Sequence, residues 1–78
     1  MRKIGRILHY TKYKLFVVEA SEALSLNNVV YDNRKKKIGI VVDVIGPINK
    51  PYLVLKPLVD KPEKYVGKEV YVFIRRRR

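Results

Sequence analysis

The apolar residues of this chain fall in six short runs, and none is long enough to sustain a helical face. The runs cover residues 4–8, 15–18, 29–31, 38–45, 52–55 and 70–74. Each is rich in Val, Ile, Leu, Tyr or Phe, side chains that suit a pleated, half-buried surface. No run repeats apolar residues at i, i+3, i+4 and i+7 over the length a stable helix needs. The breaks are equally plain. Residues 11–14 are polar, and 21–28 carry two serines and an Asn-Asn pair. Residues 32–37 open on Asp-Asn, a tight-turn signal, and continue into four cations. Gly46-Pro47 opens a loop that closes at Pro51, and Lys61-Pro62-Glu63 begins a turn region ending at Gly67. Residues 20–24 have room for one helical turn and no more.

Six short strands at regular spacing predict an all-β fold, a small six-stranded barrel that is closed or nearly so. Closure removes the exposed edges of so small a sheet. Gly39, inside a strand run, fits a bend or close packing at a barrel corner. A chain of 78 residues is expected to form one domain, residues 1–74, followed by a basic tail, 75–78.

Strand alternation assigns faces. In the fourth run Ile38, Ile40, Val42 and Val44 share one face, which is uniformly apolar and predicted to point into the barrel. Asp43 marks the other face as outward, yet Val41 and Ile45 share it. In the fifth run, inward Leu53 and Leu55 leave Tyr52, Val54 and Lys56 outside. Val41, Ile45, Tyr52 and Val54 are thus expected to form an outer apolar patch beside the 46–51 loop, of the kind that marks a protein partner. The alternative is that the 57–68 segment covers this patch from within the chain. Pro47 and Pro51 fix φ at the two ends of the loop, so little ordering entropy is left to lose on docking. Gly46 permits an unusual turn geometry, and Ile48 stands at the crest, placed to insert into a partner.

Charge points to the surroundings. Eighteen Lys and Arg oppose seven Asp and Glu, a formal net charge of +11. Such a surplus gives nothing to folding, since self-repulsion destabilises the compact state. It suits a polyanionic setting, of which nucleic acid is the commonest. The turn residues Arg34, Lys35, Lys36 and Lys37 and the tail residues Arg75, Arg76, Arg77 and Arg78 are candidates for phosphate contact, which carries little sequence information. A merely solvated turn is the alternative. The tyrosines form no obvious stacking set: Tyr10 and Tyr13 flank one break, while Tyr31 and Tyr71 fall within strand runs. A stand-alone RNA-binding barrel, such as a ribosomal protein, is one reading of this charge.

Enzyme chemistry has little to stand on. The chain has no cysteine, so neither a disulfide nor a thiolate site is available. His9 is its single histidine, and the four glycines form no phosphate-binding fingerprint. Asp32 in a turn and Asp43 in mid-strand predict no shared pocket. The expectation is a non-enzyme without cofactor, metal or small-molecule substrate. No apolar run approaches a membrane span, and the start lacks a signal peptide's apolar stretch, so a cytoplasmic location without membrane contact is expected.

The stretch 37–57, KIGIVVDVIGPINKPYLVLKP, is distinctive. With its Ile38-Gly39, Asp43, Gly46-Pro47 and Pro51-Tyr52 it resembles the Gar-type subunit of H/ACA ribonucleoproteins. Gly5-Arg6-Ile7-Leu8-His9 is similar to that family's opening strand. Asn28-Val29-Val30-Tyr31-Asp32 and Tyr65-Val66-Gly67-Lys68 fall in matching places. Ile45 stands where an aromatic is common, and the Gly-Arg-rich arms of eukaryotic relatives are missing, as in a minimal archaeal form. The resemblance implies a barrel like those of certain translation-factor and reductase-isomerase-elongation-factor domains. It implies docking on the catalytic pseudouridine synthase subunit of an RNA-guided complex that modifies ribosomal RNA. Contact with the H/ACA guide RNA and rRNA would be mostly indirect, and the subunit would assist substrate loading and release. By position, Val41, Ile45, Gly46, Pro47, Ile48, Pro51, Tyr52 and Val54 become the candidate docking surface.

Overall fold

A computed structural model describes residues 1–73. It contains six strands: β1 (Arg2–Tyr10), β2 (Phe16–Ala20), β3 (Val29–Tyr31), β4 (Lys37–Ile45), β5 (Tyr52–Pro57) and β6 (Glu69–Val72). A single 3₁₀ turn, Pro62–Tyr65, interrupts the β5–β6 connection. The strands pair antiparallel and the sheet closes in the order β1-β2-β5-β4-β3-β6. Each predicted run thus forms a strand, and the predicted barrel is closed. Residues 20–24 do not form the helical turn for which they have room. Ala20 ends β2, and the Ser21 amide and hydroxyl both donate to the Ile4 carbonyl, at 2.8 and 3.3 Å, which holds the segment against β1.

Residues paired across neighbouring strands share a face, so the register shows how the core is layered. One inward row crosses four strands as Ile7, Val18, Leu53 and Val44. The next runs Tyr10, Phe16, Leu55 and Val41, with the Tyr10 and Phe16 rings 5.8 Å apart. Ile4, Ile38, Val30 and Val70, with Ala20 and Val72, complete the core, and among the described residues no polar or charged side chain is buried. Removing each of these large side chains from water stabilises the fold by about 1.5–3 kcal/mol.

Four strand pairs slip register, β1–β2, β1–β6, β3–β4 and β4–β5, and the slips change which residues face out. In β4 the pairing passes from Val41↔Leu55 directly to Asp43↔Val54, leaving Val42 as an extra, bulged residue. A bulge shifts the alternation by one position. Val41, expected outside, is therefore fully buried, while Val42, expected inside, is 42% exposed. Ile40, also expected inside, pairs with the exposed Lys56 and is only half-buried. Beyond the bulge the expected phase returns: Val44 packs against the core, and Asp43 and Ile45 are exposed.

The 57–68 segment does not cover the Ile45 end of β4. The Leu58 amide donates to the Ile38 carbonyl, at the opposite end of that strand. Further on, the Ile7 amide donates to Lys68 and the Gly67 amide to Ile7, so the segment lies against β1.

Candidate docking face and basic turn

The outer rows of the sheet carry the candidate docking residues. Arg6, Glu19, Tyr52 and Ile45 form one row across β1, β2, β5 and β4. His9, Val17, Val54 and Asp43 form the next. The apolar middle of this face is Ile45, Tyr52, Val54 and Val17, joined by the bulged Val42, with charged residues along its margin. Sequence reasoning missed Val17 and Val42. Val17 is visible once β2 is placed beside β5; nothing local in the sequence announces the bulge that exposes Val42.

The 46–51 loop rises from the same end of the barrel. Gly46 has φ of +91°, and a Cβ there would lie 3.1 Å from Tyr52 Cδ2, so the chain turns back closely over the tyrosine ring. Ile48 is 97% exposed, the most exposed large apolar side chain described. The Lys50 amide donates to the Pro47 carbonyl at 3.3 Å and holds the crest in a turn. Pro51 departs from expectation: its side chain is fully buried and its carbonyl accepts from the Ala20 amide at 3.0 Å. It anchors the loop to β2 and is not part of the accessible surface. Of the eight sequence-predicted residues, Ile45, Gly46, Pro47 and Ile48 are thus exposed and Tyr52 and Val54 half-buried, while Val41 and Pro51 belong to the interior.

The basic turn lies at the other end of β4. Asp32 organises it, its Oδ1 accepting from the Arg34 and Lys36 amides at 2.8 and 2.9 Å. Lys35 takes a φ of +69°, and Arg34, Lys35, Lys36 and Lys37 are all exposed. Arg75, Arg76, Arg77 and Arg78, with Ile74, lie outside the described residues. His9 is exposed on the outer sheet, and among the described residues no three His, Asp or Glu gather as metal ligands. No helix there is long and apolar enough to cross a membrane.

The Gar1/Naf1 RNA binding region family matches residues 1–76. The chain belongs to this family. The resemblance seen in residues 37–57 therefore holds at family level, and a Gar1/Naf1 RNA binding region agrees with the surplus of cations. An uncharacterized protein of Methanothermobacter thermautotrophicus is 32% identical over 79 residues, covering 96% of this chain and 86% of the relative. An uncharacterized protein of Methanocaldococcus jannaschii is 36% identical over 52 residues, covering 67% of this chain and 63% of its own length.

Proposed function

We propose that this Gar1/Naf1 family member is a non-catalytic subunit of the H/ACA RNA-guided pseudouridylation ribonucleoprotein. It docks on the catalytic pseudouridine synthase subunit and assists loading and release of ribosomal RNA. The observation that carries this reading is the apolar face at one end of the barrel: Ile45, Tyr52, Val54, Val17 and Val42 beneath a loop whose Ile48 is almost wholly in solvent. A free monomer gains nothing from holding an isoleucine there. A partner that buries it gains apolar area and meets a loop already fixed by Pro47 and the buried Pro51. The charged residues at the margin suit the polar rim of such an interface.

The test titrates the chain against its cognate synthase after ribonuclease treatment. Ile48→Asp and Ile45→Asp are each expected to weaken binding by about 30-fold or more, the loss typical of an interface anchor. Unchanged affinity for both variants rules out this docking face. The second reading, a stand-alone RNA-binding barrel, is favoured by the cations and predicts no synthase binding once RNA is removed.

A further inference from the structure

A second surface lies away from the docking loop, and its residues come from three separate parts of the chain. A groove of about 820 Å³ opens between the basic turn, the 3₁₀ turn and β6. Its walls carry Arg34 from the turn, Lys64 and Lys68 from the β5–β6 connection, and two aromatic rings, Tyr65 and Tyr71. Tyr65 packs partly on the core, and both tyrosines are half-buried, so their rings are held while part of each stays accessible.

The groove also holds two carboxylates, Asp32 and Glu69, and both are engaged within the protein. Asp32 Oδ1 accepts two backbone amides of its own turn. Glu69 is paired with Lys3 at 3.1 Å and accepts a hydrogen bond from the Tyr71 hydroxyl at 3.4 Å. The three cations have no such commitment. Among the described residues the ion pairs are Arg2–Glu22 and Lys3–Glu69, and neither involves Arg34, Lys64 or Lys68. Uncommitted cations beside fixed aromatic rings are what an unpaired nucleic-acid strand requires: charge along its backbone and flat surfaces for its bases. A duplex keeps its bases stacked inside and has no use for the tyrosines.

We infer that this groove binds a short stretch of single-stranded RNA, with Arg34, Lys64 and Lys68 on phosphates and Tyr71 and Tyr65 against bases. The inference deepens the RNA-binding character of the family and does not rest on docking to the synthase. The two surfaces sit at opposite ends of β4, whose nine residues span about 30 Å at the usual strand rise. The barrel therefore carries a protein face and an RNA face that do not compete for the same space.

The experiment uses the full chain and a fluorescent single-stranded RNA of about ten nucleotides, within the site sizes of small barrels, with affinity measured by anisotropy at several salt concentrations. The Lys64→Ala/Lys68→Ala double variant is expected to bind at least about fivefold more weakly, with a salt slope shallower by about 0.7 for each lost phosphate contact. Tyr71→Ala is expected to lose about 5- to 100-fold and Tyr71→Phe to retain binding, since the ring supplies the stacking. A Lys12→Ala/Lys14→Ala variant, in the β1–β2 turn outside the groove, removes the same charge and should lose much less. Circular dichroism confirms that each variant is folded. Should Tyr71→Ala fail to fold, the two lysine variants decide alone. Equal losses in both lysine variants, no loss in the groove variant, or equal affinity for a duplex of the same sequence each overturn the inference. Ile48→Asp should leave RNA affinity unchanged, which separates failure of this site from failure of the docking face.

Discussion

Replacing Val41 and Val42 by alanine, one at a time, tests the bulge on which the shape of the candidate docking face depends. The two residues are adjacent and chemically identical, and they differ only in the face that the register slip gives them. Val41 is fully buried in a row with Phe16 and Leu55. Alanine there removes two methyl groups from the core, about 1.6 kcal/mol of transfer free energy at about 0.8 kcal/mol per group. The cavity left in a close-packed interior adds to this, for about 2–3 kcal/mol in all. Val42 is 42% exposed and pairs with nothing on β5, so its truncation should cost about 0.5 kcal/mol, near the range of surface changes. In a domain of this size each kcal/mol moves Tm by about 4–8 °C. Val41→Ala should therefore lower Tm by about 10–20 °C and Val42→Ala by less than about 5 °C. Thermal and urea unfolding followed by far-ultraviolet circular dichroism gives both values. Equal losses, or a larger loss at Val42, would refute the bulge and restore the simple alternation of β4.

Two further outcomes follow from the barrel itself. A Cβ on Gly5 would overlap the carbonyl oxygen of Glu19 and come within 3.0 Å of Ala20 Cα. Because the obstacle is backbone, Gly5→Ala should destabilise the fold by about 1–3 kcal/mol or more, measured by urea titration; an unchanged midpoint would contradict the close approach of β1 and β2. Glu69 has its pKa held below the ordinary carboxylate value, first by its hydrogen bond to Lys3 and the charge of that ammonium, then by the Tyr71 hydroxyl and Arg6. A lowered folded-state pKa means the pair contributes stability above the ordinary carboxylate range and loses it as pH falls through the lowered value. Lys3→Ala should raise the Glu69 pKa in an NMR titration, and so should high salt, since the pair is exposed; a value that stays put would show that Lys3 is not the cause.

Much of the barrel was legible because each strand is a short β-branched run between turn signals that act locally. Gly46 and Pro47 announce their loop, and Asp32 with Asn33 announces theirs, through the backbone preferences of single residues. The phase of β4 was not legible. Residues 38–45 are apolar almost throughout, so alternation had only Asp43 to fix the outward face, and one bulged residue reversed the assignment for Val41 and Val42. Pro51 reads as a loop end in sequence, and only the hydrogen bond from Ala20 shows that it is tied into the wall. The groove was equally hidden. Its cations and tyrosines are scattered from Arg34 to Tyr71 and meet only after the strand order brings β3 beside β6.

That junction of β3 and β6 has a kinetic side. β3 is three residues long, and its register with β6 is the single pair Tyr31↔Tyr71, backed by Phe73 edge-on to Tyr31 at 4.6 Å between centroids. Every other strand pair is joined over a longer ladder. The barrel is thus a five-way zipper with one short clasp, and local opening costs least at the clasp. Its two sides are distant in sequence, so the clasp closes a long loop for a single pair and is suited to form late in folding. Tyr71 on one side and Arg34, just past β3, on the other both line the groove. A strand of RNA held there fastens the two sides together, and by mass action it favours the closed barrel over any opened form.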